Sequence, residues 1–168
     1  MNIYFFILSF IIIFMLHNLE EIMTIERWFK NTYPRINKRI PTFAKKEISN
    51  FESITAAQFS VVVFVLSVAF SALLLIAVMT QYFFIFLGLN LLLAINIFTH
   101  PLQALYLRCY TPGLLTTLLL IIPYNVLFFS YFSKVGLLTM YAFLGSLIVM
   151  FFLILVFLLS HKIGGKWG

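Results

Sequence analysis

The stretch His17-Asn18-Leu19-Glu20-Glu21 places an imidazole and two carboxylates at the end of an almost unbroken apolar run over residues 2–16. On an α-helix, spacings of three and four residues put His17, Glu20 and Glu21 on one face. A helix rises about 1.5 Å per residue and must cross roughly 30 Å of hydrocarbon, so a helix from residue 2 brings Glu21 to the far membrane boundary. Unpaired charges are costly there, and the stretch therefore predicts partner groups that hold these carboxylates.

The composition of the whole chain is typical of a membrane protein. Of its 168 residues 63% are hydrophobic and 10% are charged, and the mean hydropathy is +1.08. A soluble domain of this size presents more polar surface to water, which excludes a soluble globular class. The single Cys109 excludes an intrachain disulfide framework. We therefore expect an all-α polytopic bundle that forms one membrane domain over residues 1–168.

Five apolar segments predict about five transmembrane helices, over residues 2–22, 55–79, 82–100, 113–132 and 135–160. The third helix is expected to end at His100-Pro101, because a residue before proline is pushed out of the α region. Thr111-Pro112-Gly113 is typical of a helix start with Thr111 as N-cap. In the second helix, Ser67 and Ser71 belong to a stripe of small residues that predicts close helix packing.

The basic residues are distributed unevenly between the connections. Ten of the eleven Lys and Arg lie in the basic loop over residues 24–52, at Arg108 or in the C-terminal tail, and only Lys134 lies on the opposite side. The positive-inside rule then predicts an N-terminus outside and a cytoplasmic C-terminus and basic loop. We expect a multi-pass protein of the plasma membrane whose basic loop contacts anionic lipids and binds no nucleic acid.

Three short motifs fall at the cytoplasmic ends of three predicted helices. They are H-x-x-E-E from His17 to Glu21, N-x-x-x-H from Asn96 to His100, and Y-x-P-G from Tyr110 to Gly113. In this order, and in a small membrane protein, they resemble the HXXEE-motif family, a group of uncharacterised and mostly bacterial integral membrane proteins. The resemblance spans about residues 17–113 and implies a shared site but no particular activity.

Two carboxylates and two imidazoles form a natural ligand set for a divalent metal ion such as zinc, manganese or iron. We predict His17, Glu20, Glu21 and His100 as metal ligands, and add Asn96 and Tyr110 as further catalytic candidates. An unligated glutamate would act as general base toward a metal-bound water. The helix start at residues 111–113 would offer free N–H groups to a phosphate, and a site facing the headgroups favours a lipid or another amphiphile as substrate.

Three classes of function remain open at this point. The first is a metal-dependent or acid–base membrane enzyme. The second is a non-catalytic scaffold or assembly protein, in which Glu20 and Glu21 pair with cations such as Arg27 or Arg108, and His100 caps its helix. The third is a small transporter, which is disfavoured because acidic residues are absent from the middle and outer parts of the helices. The sequence leaves the oligomeric state open.

The predicted topology can be tested by thiol labelling in intact cells. In a Cys109→Ser background, a cysteine in place of Lys38 should stay protected from a membrane-impermeant reagent, and a C-terminal reporter should be cytoplasmic. A cysteine in place of Lys134 is the matched control and should be labelled from outside. Labelling at position 38 from outside would reverse the orientation.

Overall fold

The computed structural model describes residues 2–40 and 54–165, and its long elements are five apolar helices, each of sufficient length to cross a membrane. They are α1 Ile3–Asn31, α2 Ala56–Thr80, α3 Phe83–Leu107, α4 Leu114–Lys134 and α5 Met140–Gly164. The predicted all-α membrane bundle with five spans is confirmed, and the protein is a multi-pass membrane protein in contact with the lipid bilayer. Residues 41–52 of the predicted basic loop, including Lys45 and Lys46, lie outside the described residues.

Helix α1 is longer than predicted, and its expected end at residue 22 is wrong. Asn2 caps its start by accepting a hydrogen bond from the Phe5 N–H at 3.0 Å. Residues 22–31 contain neither proline nor glycine, so the end of the apolar run does not end the helix. In the added turns, Trp28 Nε1 donates to the Tyr110 carbonyl at 2.6 Å. The extension therefore ties α1 to the connection between α3 and α4.

Helix α3 is also longer than predicted, because it continues through Pro101 to Leu107. Proline is tolerated inside membrane helices where neighbouring groups compensate for the lost hydrogen bond. The helix ends at Arg108, which adopts the left-handed conformation with φ 53°. His100 thus lies two turns inside α3, which rules out the expected role of its side chain as a cap of the last carbonyls.

The start of α4 differs from the expected one by two residues. Gly113, with φ +80°, is the N-cap, whereas Thr111 is buried and its hydroxyl donates to the His100 carbonyl at 3.4 Å. Five residues of α4, Thr117–Ile121, form a π-helical turn directly before Pro123. Such turns are often found at functional sites. The irregular first half of α4 faces the ends of α1 and α3.

Helices α3 and α5 pack closely against each other. The close helix packing predicted at Ser67 and Ser71 of α2 is not observed. A Cβ atom added to Gly88 would lie 2.7 Å from Val149 Cβ and 2.8 Å from the Ser146 carbonyl oxygen. Small residues allow this approach, which replaces the hydrophobic effect as a source of packing energy in lipid. Ser67 and Ser71 of α2 instead border a cavity beside α1.

Candidate functional site

Three side chains from two helices converge where α1, α3 and the start of α4 meet. His17 and Glu21 lie one turn apart on α1, and His100 extends from α3. Oε1 of Glu21 lies 3.4 Å from His100 Nε2 and 3.9 Å from His17 Nε2. The two imidazole rings meet edge to face, with centroids 5.1 Å apart. We call these three residues the His/Glu cluster, and their ligand atoms all lie within 4.8 Å of one another.

The His/Glu cluster is buried on the protein side and partly open at Glu21. His17 is 3% exposed and His100 is 8% exposed, whereas the Glu21 side chain retains 19% of its exposure. Two neutral rings tolerate burial, but a buried carboxylate requires a compensating charge or a proton. Glu21 is therefore the most exposed member of the cluster, and its carboxylate has no Lys or Arg partner among the side chains that the structure describes.

Glu20 points toward α4, away from the His/Glu cluster. Its Oε1 accepts hydrogen bonds from the Tyr110 hydroxyl at 2.5 Å and the Leu115 N–H at 3.1 Å. Its Oε2 accepts from the N–H of Thr116 at 2.7 Å and from the Thr116 hydroxyl at 2.5 Å. The first N–H groups of a helix lack intrahelical partners and carry its positive dipole end. The helix start that was predicted to bind a phosphate is therefore occupied by Glu20, whose oxygens cap α4.

The Thr116 hydroxyl connects Glu20 to the His/Glu cluster. It donates its proton to Glu20 Oε2, with a longer contact to the Gly113 carbonyl at 3.4 Å, so it accepts at His17 Nδ1, which is 2.8 Å away. The proton of the neutral His17 ring is therefore on Nδ1. This leaves the lone pair of His17 Nε2 facing Glu21 and His100, which is the tautomer that a metal ligand requires.

Gly113 separates the two imidazoles from the α4 backbone. A Cβ atom at this position would lie 2.8 Å from Cε1 of both His17 and His100. The left-handed φ of +80° independently favours glycine. The glycine of the Y-x-P-G motif thus serves two purposes, since it starts α4 and leaves room for both rings of the cluster.

Tyr110 holds Glu20 from the connection between α3 and α4. Partial burial raises the pKa of Tyr110 to about 12, and the hydrogen bond to Glu20 acts in the same direction. The phenol therefore stays protonated and remains a donor at physiological pH. Tyr110 contacts Glu20 and lies outside the His/Glu cluster, so its contribution to the site is one of positioning.

The remaining predicted residue, Asn96, lies one turn before His100 and is partly buried. Its side chain forms no hydrogen bond within residues 2–40 and 54–165. Nδ1 of His100 is likewise buried and has no hydrogen-bond partner in this part of the chain. The backbone of Pro112 lies beside the His100 ring. The structure thus gathers His17, Glu21 and His100, and adds Thr116, which no motif in the sequence indicated.

Comparison with known proteins gives one match. The family model described as "Protein of unknown function with HXXEE motif" matches residues 8–128, a range that includes every residue of the site. No curated protein and no solved structure matches the chain.

Two adjacent threonines provide a test of the connection through Thr116. Thr116→Val should lower the free energy of unfolding by about 1–3 kcal/mol, because it leaves Glu20 and His17 without a shared partner. Thr117→Val is the matched control, since Thr117 is fully buried and its hydroxyl has no hydrogen bond among the described residues. Thermal unfolding in detergent should separate the two variants. Equal losses would contradict the role of the Thr116 hydroxyl.

Proposed function

This chain belongs to the HXXEE-motif family of proteins of unknown function, and from this premise we propose that it is a metal-dependent membrane enzyme. The proposed centre consists of His17, Glu21 and His100, with its open side toward the cytoplasmic headgroups. The observation that carries the proposal is the convergence of three ligand atoms from two helices within 4.8 Å. The proposed substrate is a lipid or another amphiphile, because only such molecules present reactive groups at this depth.

The geometry of the His/Glu cluster supports a divalent ion. Ligand atoms about 2.1 Å from a tetrahedral ion lie about 3.4 Å apart. The separation of His100 Nε2 and Glu21 Oε1 is 3.4 Å, and that of His17 Nε2 and Glu21 Oε1 is 3.9 Å. Both separations that involve Glu21 are therefore within about half an ångström of this value, all three ligand atoms lie within 4.8 Å of one another, and a dication would compensate the charge of Glu21.

The number of ligands supports a catalytic rather than a structural metal. Two imidazoles and one carboxylate are a ligand set of catalytic zinc sites, in which the fourth position is left to water or substrate. The Glu20–Thr116–His17 chain supplies the outer hydrogen bonds that such ligands require for orientation. Glu20 is therefore proposed as a positioning residue, and the ligand set becomes three residues instead of the four predicted. Zinc, manganese and iron all accept these ligands.

The surroundings of the site support a membrane substrate. Exposed cations follow the cluster on the extension of α1 and just beyond it, namely Arg27, Lys30, Arg35 and Lys38. Basic residues next to a membrane attract anionic headgroups. We propose that they hold this end of the bundle at the cytoplasmic leaflet of the plasma membrane and concentrate anionic amphiphiles there.

One observation favours a second candidate, a scaffold without catalysis. Glu20 makes four hydrogen bonds to residues 110–116. These bonds cap α4 and hold it against α1, which is a structural role that requires no catalysis. In that case Glu21 and the two histidines would complete the helix contact without a metal. The two candidates differ in whether the purified protein retains an ion.

Metal analysis of the detergent-purified protein tests the proposal. After chelation and reconstitution with zinc, manganese or iron, the wild type should retain one of them in equimolar amount, and Glu21→Gln and His100→Gln should lose it. Glu26→Gln is the matched control, because Glu26 lies on the same helix but caps α2 through the Ala56 N–H at 3.0 Å. Thr116→Val should weaken metal affinity about 10–100-fold, the usual cost of losing an outer partner.

A wild type that retains none of the three metals would exclude the metal-dependent enzyme. Retention in the Glu21→Gln variant at the wild-type level would exclude the proposed ligand set. A cooperative thermal unfolding transition above the assay temperature in each variant shows that a loss of metal is local and does not reflect a loss of the fold.

A further inference from the structure

A cavity between α1 and α2 runs along the membrane interior, and Asn18 in its wall lies on the same helix as His17 and Glu21 of the His/Glu cluster. It has a volume of about 540 Å³ and extends from Ile7 and Val78 at one end to Ile22 and Val63 at the other. Its walls are almost entirely apolar, and its volume is in the range of small-molecule pockets. We call this cavity the α1–α2 groove.

The α1–α2 groove exists because α2 presents small side chains toward α1. Ser67 and Ser71 are part of its wall, where larger residues would fill the gap between the helices. The Ser67 hydroxyl donates to the Val63 carbonyl at 2.7 Å, so it turns its polar group away from the cavity. The groove therefore offers an apolar channel to a hydrocarbon chain.

Asn18 is the polar residue at the cluster end of the groove. It is 7% exposed and lies in the wall, and its Nδ2 donates to the Phe14 carbonyl at 2.7 Å. Its Oδ1 forms no hydrogen bond within the described residues. Asn18 precedes Glu21 by three positions, so the two side chains are neighbours on α1. The Asn18 amide is therefore the polar group that α1 contributes to the groove wall, about one helical turn from Glu21.

We propose that the α1–α2 groove binds one long acyl chain of a membrane amphiphile, with the polar end of that molecule held at Asn18 and Glu21. The length of the groove supports a long chain, since the fifteen residue-to-residue steps from Ile7 to Ile22 extend about 22 Å, more than one leaflet's share of roughly 30 Å of hydrocarbon. The identification of this ligand as the substrate rests on the proposed function, whereas binding of the chain does not.

The selectivity of the groove for one amphiphile over bulk lipid must come from contacts with the polar end of that molecule. An acyl chain that moves from the bilayer into the groove gains no hydrophobic free energy, because lipid tails are as apolar as the groove wall. Fit and the polar contacts must therefore decide occupancy. The Asn18 amide is the group through which the groove would distinguish a bound amphiphile from bulk lipid.

Photolabelling with a diazirine derivative of palmitic acid, in vesicles that contain the purified protein, tests the groove. Peptides of α1 and α2 that line the cavity should be labelled several-fold more than the exposed face of α5. Ser71→Phe should reduce this labelling several-fold by filling the groove. Ala72→Phe is the matched control, because Ala72 is exposed, adjacent and outside the groove lining, and it should leave the labelling unchanged.

A second variant, Asn18→Leu, removes the amide and leaves the groove open. It should also reduce the labelling of the groove peptides, which a pure filling effect would not explain. Labelling spread evenly over all lipid-facing helices would show ordinary bilayer lipid and overturn the proposal. A change of oligomeric state in Ser71→Phe would also overturn it, because it would identify a second copy of the chain as the occupant. A cross-link from a photoreactive residue at position 71 to residues 41–53 would overturn it too, because it would identify this segment as the occupant.

The metal content of the same samples separates this proposal from the proposed function. Metal retention with evenly spread labelling would remove the groove as a binding site and leave the metal centre standing. Labelling confined to the groove in a protein that binds no metal would remove the enzyme and leave acyl-chain binding.

Discussion

The structure depends on the carboxylate of Glu20 at the start of α4. The Leu115 and Thr116 N–H groups in the first turn of that helix have no intrahelical partners, so leaving them unsatisfied would be costly. Glu20 accepts from the Leu115 and Thr116 N–H groups, and its charge is favoured by the positive end of the helix dipole. This contact fixes α4 against α1, and with it the position of Gly113 next to both histidines.

A second glutamate of α1 also caps the start of another helix. Glu26 Oε2 accepts a hydrogen bond from the Ala56 N–H at the start of α2, where Thr55 and Gln58 complete a capping box. The Glu26 contact requires α1 to continue past the predicted end at residue 22, and both glutamates lie beyond the apolar run over residues 2–16. The long α1 therefore collects the starts of α2 and α4 at one end of the bundle. The H-x-x-E-E and Y-x-P-G motifs meet there because Glu20 of α1 caps the start of α4, and α3 brings His100 to the same place.

Sequence reasoning predicted the five spans and the joining of the three motifs, since both follow from hydrophobic length and from the alternation of helix direction. It failed where local rules compete with the membrane environment. Pro101 was expected to end α3, yet the helix continues to Leu107, because a bundle compensates for one lost hydrogen bond more easily than it accommodates a broken helix in lipid. Thr116 was missed for another reason, since its role depends on how α1 and α4 pack, which no spacing within one segment encodes.

The paired glutamates of the H-x-x-E-E motif illustrate how two identical neighbours acquire different chemistry. Adjacent positions on a helix point about 100° apart, so Glu20 is directed at α4 while Glu21 is directed at His100. Glu20 is surrounded by four donors that stabilise its charge. Among the side chains that the structure describes, Glu21 faces two imidazoles and no Lys or Arg, and each imidazole is neutral when its Nδ1 carries the proton. The charge of Glu20 is thus compensated by the fold, which leaves Glu21 as the carboxylate that the proposed metal would bind.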